Sequence, residues 1–445
     1  MPHLGYVYPA GGRQGTTFQV VLGGQSLLSA TNAFVSGSGV QTKVIEYTRP
    51  LTQKEFNELR DKLRELQEKR VAVSRGSRRR SGQAGSTNQV WTAADDRMVE
   101  EIRKKLATFV PRTQINPAIA ETTILQVTMA ADAEPGQREL RLETQQGLSN
   151  PLRFYVGRLP EFTKRAATAN RDLQSLKTKF RRDAEGAVPA TEMNITLPAV
   201  VNGQTMPGGV DRYHFKARAG QRLTVAVSAR DLIPYLPDAV PGWFQASISL
   251  YGPKGQELQY ADHFRFNPDP VLFYEIPQEG EYTIEIRDSI YRGREDFVYR
   301  MTVGELPCVT SLFPLGAPAG TQTAVELKGW NLPSPQLTLQ EQAPGIHFLA
   351  VSNTGLASWP FAVDILPERL EQEPNDHPTN AQPVTLPLII NGRIEKPGDR
   401  DVFRFEGRAG SELVAEVFAR RLNSPLDSVL RLTDAAGHQL AYNDD

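Results

Sequence analysis

Apolar and polar residues alternate with a period of two along most of the chain, which predicts strands with one buried and one wet face. Leu223, Val225 and Val227 alternate with Arg222, Thr224 and Ala226, and Tyr282, Ile284 and Ile286 with Glu281, Thr283 and Glu285. Glycine and proline turns separate such runs, the pattern of an antiparallel sandwich. The period changes within residues 52–110. Thr52 and Glu55 have the spacing of a capping box, and Phe56, Leu59, Leu63 and Leu66 form one apolar stripe at helical spacing. After the polar stretch RGSRRRSGQAGS, Thr92 with Asp95 opens a second helix carrying Met98, Ile102 and Leu106. The pair predicts an antiparallel helical hairpin projecting from a β domain. Residues 161–190 are basic, have only weak helical periodicity at Leu173, Leu176 and Phe180, and read as a connector.

Internal repeats organise the rest. Residues 8–27, YPAGGRQGTTFQVVLGGQSL, align without gaps to residues 313–332, FPLGAPAGTQTAVELKGWNL. A second repeat brings Leu197-Pro198 and Asn202-Gly203 back as Leu386-Pro387 and Asn391-Gly392. In it DRYHF at 211–215 returns as DVFRF at 401–405, and Arg218-Ala219-Gly220 as Arg408-Ala409-Gly410. The order is A–B–A′–B′. The predicted domains are 1–160 with the hairpin inserted at 52–110, the connector 161–190, then 191–305, 306–368 and 369–445. The first B copy runs on to about Val303, past the counterparts of the last residues of B′, so B′ is expected to be C-terminally truncated.

Composition narrows the function. The 50 Lys+Arg against 51 Asp+Glu give a net charge of -1, which argues against a nucleic-acid binder. No apolar run is long enough to span a bilayer. Cys308 is the single cysteine, so an internal disulfide, CxxC redox chemistry and multi-cysteine zinc sites are excluded, and a buried structural thiol is expected. The six histidines are scattered without HExxH, and GxSxG, Walker A and GxGxxG motifs are missing, so no enzyme is predicted. Arg75, Arg78, Arg79 and Arg80 lie in a Gly/Ser tip without aromatics and read as a solvated loop, as do Lys164, Arg165, Lys177, Lys179, Arg181 and Arg182 of the connector.

The B copies, above all LEQEPNDHPTNAQPVTLPLIINGRIEKPGDRDVFRFEGRAG, resemble bacterial pre-peptidase C-terminal (PPC) domains, the group that includes the collagen-binding domains of clostridial collagenases. The A copies resemble TIG/IPT-type Ig-like domains, and the whole is similar to large secreted proteins of planctomycete-like bacteria. The resemblance implies a mainly β fold of tandem sandwiches, Ig-like modules alternating with jelly-roll-like PPC modules. It also implies a secreted or cell-surface location.

Glu371, Glu373, Asn375 and Asp376 crowd four oxygen-bearing side chains into six residues, and Asp399 and Asp401 open the next strand. Such a set suits Ca²⁺, which takes six to eight oxygen ligands. In the collagen-binding relatives the corresponding acidic segment and strand-start aspartates bind calcium, so the resemblance carries that role to these six residues. The alternative is an acidic linker neutralised by Arg400, Arg404 or Arg421. The first B copy keeps only Asp211 of this pattern, and no matching site is expected there. Pro241-Gly242-Trp243-Phe244 and Trp330 could form an aromatic platform, although tryptophans in sandwiches more often pack in cores. The expected function is a non-catalytic exported binding or scaffolding protein whose ligand is an extracellular polymer or protein. The alternative is an accessory segment of a larger secreted hydrolase or peptidase.

Overall fold

In the computed structural model the protein is mainly β, with two α-helices among the described residues. The structure describes all residues except 79–90, 108, 110–115, 167–190, 234, 236–241, 341, 351–357 and 445. The chain separates into two compact units. One is residues 1–216, 227–262 and 281–301, and the other is residues 217–226, 263–280 and 302–445.

In the first unit a four-stranded sheet has the order His3–Tyr8, Thr17–Gln25, Glu121–Met129, Val40–Thr48. A second sheet runs Gly11–Arg13, Leu152–Gly157, Gly136–Thr144, Asn32–Val35. Their inward residues make one core that includes Leu4, Val20, Leu22, Leu125, Val127, Leu140, Leu142 and Phe154. Period-two alternation produces this directly, since every second side chain of Glu121–Met129 faces the core. At Gly24 the strands approach so closely that a Cβ would stand 2.1 Å from the His3 carbonyl oxygen. Its repeat partner Gly329 stands in the same relation to Cys308, again at 2.1 Å. Only glycine fits either place.

Val40–Thr48 and Glu121–Met129 pair antiparallel from Val40↔Met129 to Thr48↔Thr122. The helical hairpin therefore stands where a tight turn would suffice. Its helices, α1 (Gln53–Arg78) and α2 (Ala93–Ala107), begin at the two expected caps. Glu55 N–H donates to Thr52 Oγ1 at 3.2 Å while Thr52 N–H donates to Glu55 Oε2 at 2.8 Å, and Thr92 and Asp95 repeat the exchange at 3.3 and 2.8 Å. The helices share a small core of Leu66, Val99 and Ile102, flanked by Leu59, Leu63, Trp91 and Leu106. The stripe of α2 thus runs through Val99 and not Met98, which is exposed. Phe56 stacks on Phe109 at 4.0 Å, and Lys69 pairs with Asp95 at 2.9 Å. α1 continues to Arg78, into the stretch expected to be a tip. The side chains of Arg75, Arg78, Arg79 and Arg80 lie outside the described residues, as do Lys177, Lys179, Arg181 and Arg182.

The second unit holds the smaller A copy. Thr323–Trp330 pairs with Cys308–Phe313 on one side and directly with Gln336–Leu339 on the other. The first copy puts Glu121–Met129 beside the equivalent strand, after a detour through Asn32–Val35, Val40–Thr48 and both helices. The excursion missing from the second copy is therefore longer than the helices alone.

The stretch expected as a basic connector starts instead as a strand, Glu161–Thr163, parallel to Ala199–Gln204 with Thr163 opposite Asn202. Glu161 is nearly buried and is clamped by Arg300 Nη2 at 2.9 Å, while Arg300 Nη1 donates to Asn202 Oδ1 at 2.8 Å. A five-stranded sheet runs Thr191–Asn194, Val210–Ala217, Gly280–Asp288, Ala246–Tyr251, Glu257–Ala261. Tyr282, Ile284 and Ile286 are buried as their alternation predicts, but so is Glu285, which pairs with Arg212 at 2.9 Å. Thr224, read as wet, is also buried and donates to the Leu306 carbonyl at 2.9 Å.

Two outcomes follow for the first unit. Replacing residues 52–110 by a short Gly/Ser linker should leave cooperative unfolding of the remainder intact by calorimetry, because the hairpin has its own core. Arg300→Met should cost about 3–5 kcal/mol in chemical denaturation, because Glu161 would be left buried without its counter-charge.

Candidate cation site

The acidic cluster is assembled by the same parallel pairing in the second unit. Glu368–Leu370 lies parallel to Ile389–Asn391, with Leu370 opposite Asn391. Glu371 N–H then donates to the Asn391 carbonyl at 3.0 Å, which aims the next side chains at the strand start around Asp401. Gln382 locks the segment, accepting from Gln372 N–H at 2.9 Å and donating to the Leu370 carbonyl at 3.2 Å. Val402 N–H donates to the Asn375 carbonyl at 3.1 Å. Gly392 leaves room for the cluster, since a Cβ there would lie 2.9 Å from Glu371 Oε2.

Of the six residues singled out in the sequence, three meet at one point. Oxygens of Glu371, Glu373 and Asp401 lie within 4.8 Å of one another. Asn375 is fully buried and holds Glu371 from below, donating from Nδ2 to Oε1 at 2.9 Å, and its N–H donates to Glu373 Oε2 at 2.9 Å. Asp376 and Asp399 form an adjoining pair beneath Lys396, whose Nζ is 3.8 Å from each. Asp399 also accepts from Glu395 N–H at 2.7 Å, and that bond holds its carboxyl below the usual range. The arginines weighed as neutralising partners do not serve. Arg421 pairs with Glu416, and neither Arg400 nor Arg404 forms an ion pair with the cluster among the described residues.

Desolvation, together with Glu371, Asp399 and Glu373, pushes the Asp401 carboxyl up to about 7. Three acceptor atoms here are buried with no hydrogen-bond partner: Asn375 Oδ1, Asp399 Oδ1 and Asp401 Oδ1. A buried acceptor without a donor is costly, and like charges this close repel. The donor set is all oxygen, carboxylate and amide, which fits a hard divalent cation such as Ca²⁺. Glu371, Glu373 and Asp401 would hold it, with Asn375 and Asp399 at hand.

Elsewhere the sequence candidates are absorbed by structure. Trp243 packs against the core of the first unit, donates from Nε1 to the Ile233 carbonyl at 3.1 Å and is covered by Arg230 at 3.6 Å. Trp330 is covered by Arg222 at 3.9 Å. Each ring thus has an arginine over one face, and Trp243 takes the core position that was weighed against a platform. Cys308 is buried and its thiol is pushed up to about 11 by desolvation, which fits a structural thiol. The apolar positions of 411–418 are a further departure. Leu413 and Val417 are exposed, whereas their repeat counterparts Leu223 and Val227 are buried.

No family model matches the chain. A probable subtilase-type serine protease of Deinococcus radiodurans is 42% identical over 87 residues, which is 19% of this chain and 12% of that protein. The chain thus spans about an eighth of the length of the curated relative it matches. Among solved structures, the pre-peptidase C-terminal domain of a Bacillus anthracis collagenase aligns at 13% identity and a TM-score of 0.20, covering 26% of this chain and 97% of that one. PliG, a periplasmic lysozyme inhibitor of Aeromonas hydrophila, aligns at 16% identity and a TM-score of 0.18, covering 26% and 98%. No helix among the described residues is long and apolar enough to cross a membrane.

The raised Asp401 carboxyl sets a pH dependence. Its native value lies above the unfolded 3.8, so the native state binds more protons between about 4 and about 7. With chelator present, Asp401's contribution to the stability of residues 369–404 should be full below about pH 4 and be lost as pH rises through about 7, whereas Asp399 contributes in the opposite sense only at lower pH. Asp401→Asn should flatten that slope in limited proteolysis at graded pH.

Proposed function

We propose that this chain is a non-catalytic, exported binding or scaffolding segment of the bacterial surface or extracellular space, stiffened by a divalent cation. In this reading TIG/IPT-type Ig-like modules alternate with PPC-type modules, as in secreted planctomycete-like proteins. Calcium joins the incoming linker at Glu371 and Glu373 to the strand start at Asp401. The observation that carries the reading is the set of buried acceptor atoms without donors beside converging carboxylates. A cation there serves rigidity, because no nucleophile or general base motif accompanies it. The ligand class is an extracellular polymer or protein.

The stretch shared with a subtilase-type protease favours a second reading, an accessory segment of a larger secreted hydrolase or peptidase. The reading frame around these 445 residues separates the two. A catalytic triad in the same polypeptide supports the accessory segment, and further β modules support the scaffold.

The cation is tested by melting the protein in millimolar calcium and in chelator. A cation that binds only the folded form adds about 2.7 kcal/mol at a hundredfold excess over its Kd, visible as an upward shift of one transition. Asp401→Asn and Glu373→Gln should shrink that shift, whereas Asp376→Ala, which lies outside the converging trio and faces Lys396, should not. An unchanged parent transition would overturn the reading.

A further inference from the structure

The two B copies meet the cluster's charge problem in opposite ways. In the first copy Glu161–Thr163 runs parallel to Ala199–Gln204, and in the second Glu368–Leu370 runs parallel to Ile389–Asn391. Thr163 opposes Asn202 as Leu370 opposes Asn391. The next residue caps the pairing identically: Lys164 N–H donates to the Asn202 carbonyl at 2.9 Å and Glu371 N–H to the Asn391 carbonyl at 3.0 Å. Even the preceding glutamate repeats, since Asn202 Nδ2 donates to Glu161 Oε2 and Asn391 Nδ2 to Glu368 Oε2, both at 2.8 Å. Lys164 is therefore the positional equivalent of Glu371, and Asp211 that of Asp401 by the sequence repeat.

The chemistry at these equivalent positions is inverted. Lys164 Nζ donates to Asp211 Oδ1 at 2.6 Å and to the Gln204 carbonyl at 3.1 Å. Asp211 is 1% exposed, and its Oδ2 accepts from Tyr299 Oη at 2.7 Å. Tyr299 in turn shares a 2.6 Å hydrogen bond with Tyr213. No carboxylate oxygen of Asp211 is left without a donor, whereas Asp401 Oδ1 is. Gly203 and Gly392 share the repeat position too. A Cβ would strike the Tyr299 ring at 2.0 Å in the first copy and approach the Glu371 carboxylate in the second.

The geometry points to Lys164 as a built-in cation: its ammonium takes, in the first copy, the place that a divalent cation would take between Glu371 and Asp401 in the second. The inference rests on the cation reading of residues 371–401. Its content is that one chain carries a calcium-independent and a calcium-dependent version of the same module. A lysine ammonium is a compact point charge on a flexible stem, suited to replacing an ion at a buried carboxylate. One monovalent charge suffices there because the first copy has exchanged Glu371's carboxylate for that ammonium, and lacks Glu373, Asn375 and Asp376 as well.

The experiment is hydrogen exchange read by peptide on the full chain, with chelator and with millimolar calcium, for the parent, Lys164→Met and Lys164→Glu. In the parent, calcium should slow exchange in 369–404 and leave 199–217 unchanged. Lys164→Met should speed exchange in 199–217 by on the order of a hundredfold, with no rescue by calcium, because Asp211 is left buried and unpaired. Lys164→Glu should be at least as fast in chelator and gain little from calcium, since the first copy has no counterpart of Glu373 or Asn375 to complete the ligand set. Calcium protection of 199–217 in the parent would overturn the inference alone, as would unchanged exchange there in Lys164→Met. Absence of any calcium response in 369–404 would overturn the cation reading, and this inference with it.

Discussion

A carboxylate taken out of water must find a counter-charge or a full set of donors, and the strand entries of this protein turn on that requirement. Glu161, Asp211 and Asp401 all stand where an incoming segment lies parallel to the sheet, a geometry that brings side chains together while excluding solvent. Arg300 answers the first and Lys164 the second. Asp401 meets other carboxylates instead. Neighbouring features follow from these answers: Asn202 is oriented between Glu161 and Arg300, and Tyr299 is drawn onto Asp211.

Against that fixed frame the helical hairpin is an elaboration. It leaves from the ends of two strands that already pair, closes its own small core and caps both helices with local side chains. Its stability comes from an apolar seam and an interhelical ion pair at Lys69 and Asp95. The smaller A copy forms a three-stranded sheet without it, turning directly from Thr323–Trp330 into Gln336–Leu339.

Local pattern made much of this legible. Alternation located strands of the first B copy, whereas the matching run at 411–418 of the second forms no strand, and the spacing of Thr52 with Glu55 and Thr92 with Asp95 marked both helix starts. Met98 was indistinguishable from Val99 by spacing alone, because either can join the Ile102–Leu106 stripe; packing against Leu66 decides. Pairing partners were not legible. The strand Glu161–Thr163 looks like the head of a basic tract, and only its register with Ala199–Gln204 makes Lys164 an interior ion. The second repeat as aligned starts at Leu197, downstream of this strand, and so leaves out the signal that points to it, Pro160-Glu161 recurring as Pro367-Glu368. The acidic segment was visible as a cluster, but its division into a converging trio and a pair under Lys396 depends on contacts that composition does not encode.

Cys308 gives the molecule an intrinsic clock. The thiol is buried where the strand Cys308–Phe313 begins, and desolvation suppresses its thiolate. Alkylating reagents react with thiolate, so labelling must wait for that strand to open. With a single cysteine in the chain, every labelled molecule records an opening at one address, and no scrambling of disulfides can obscure the count.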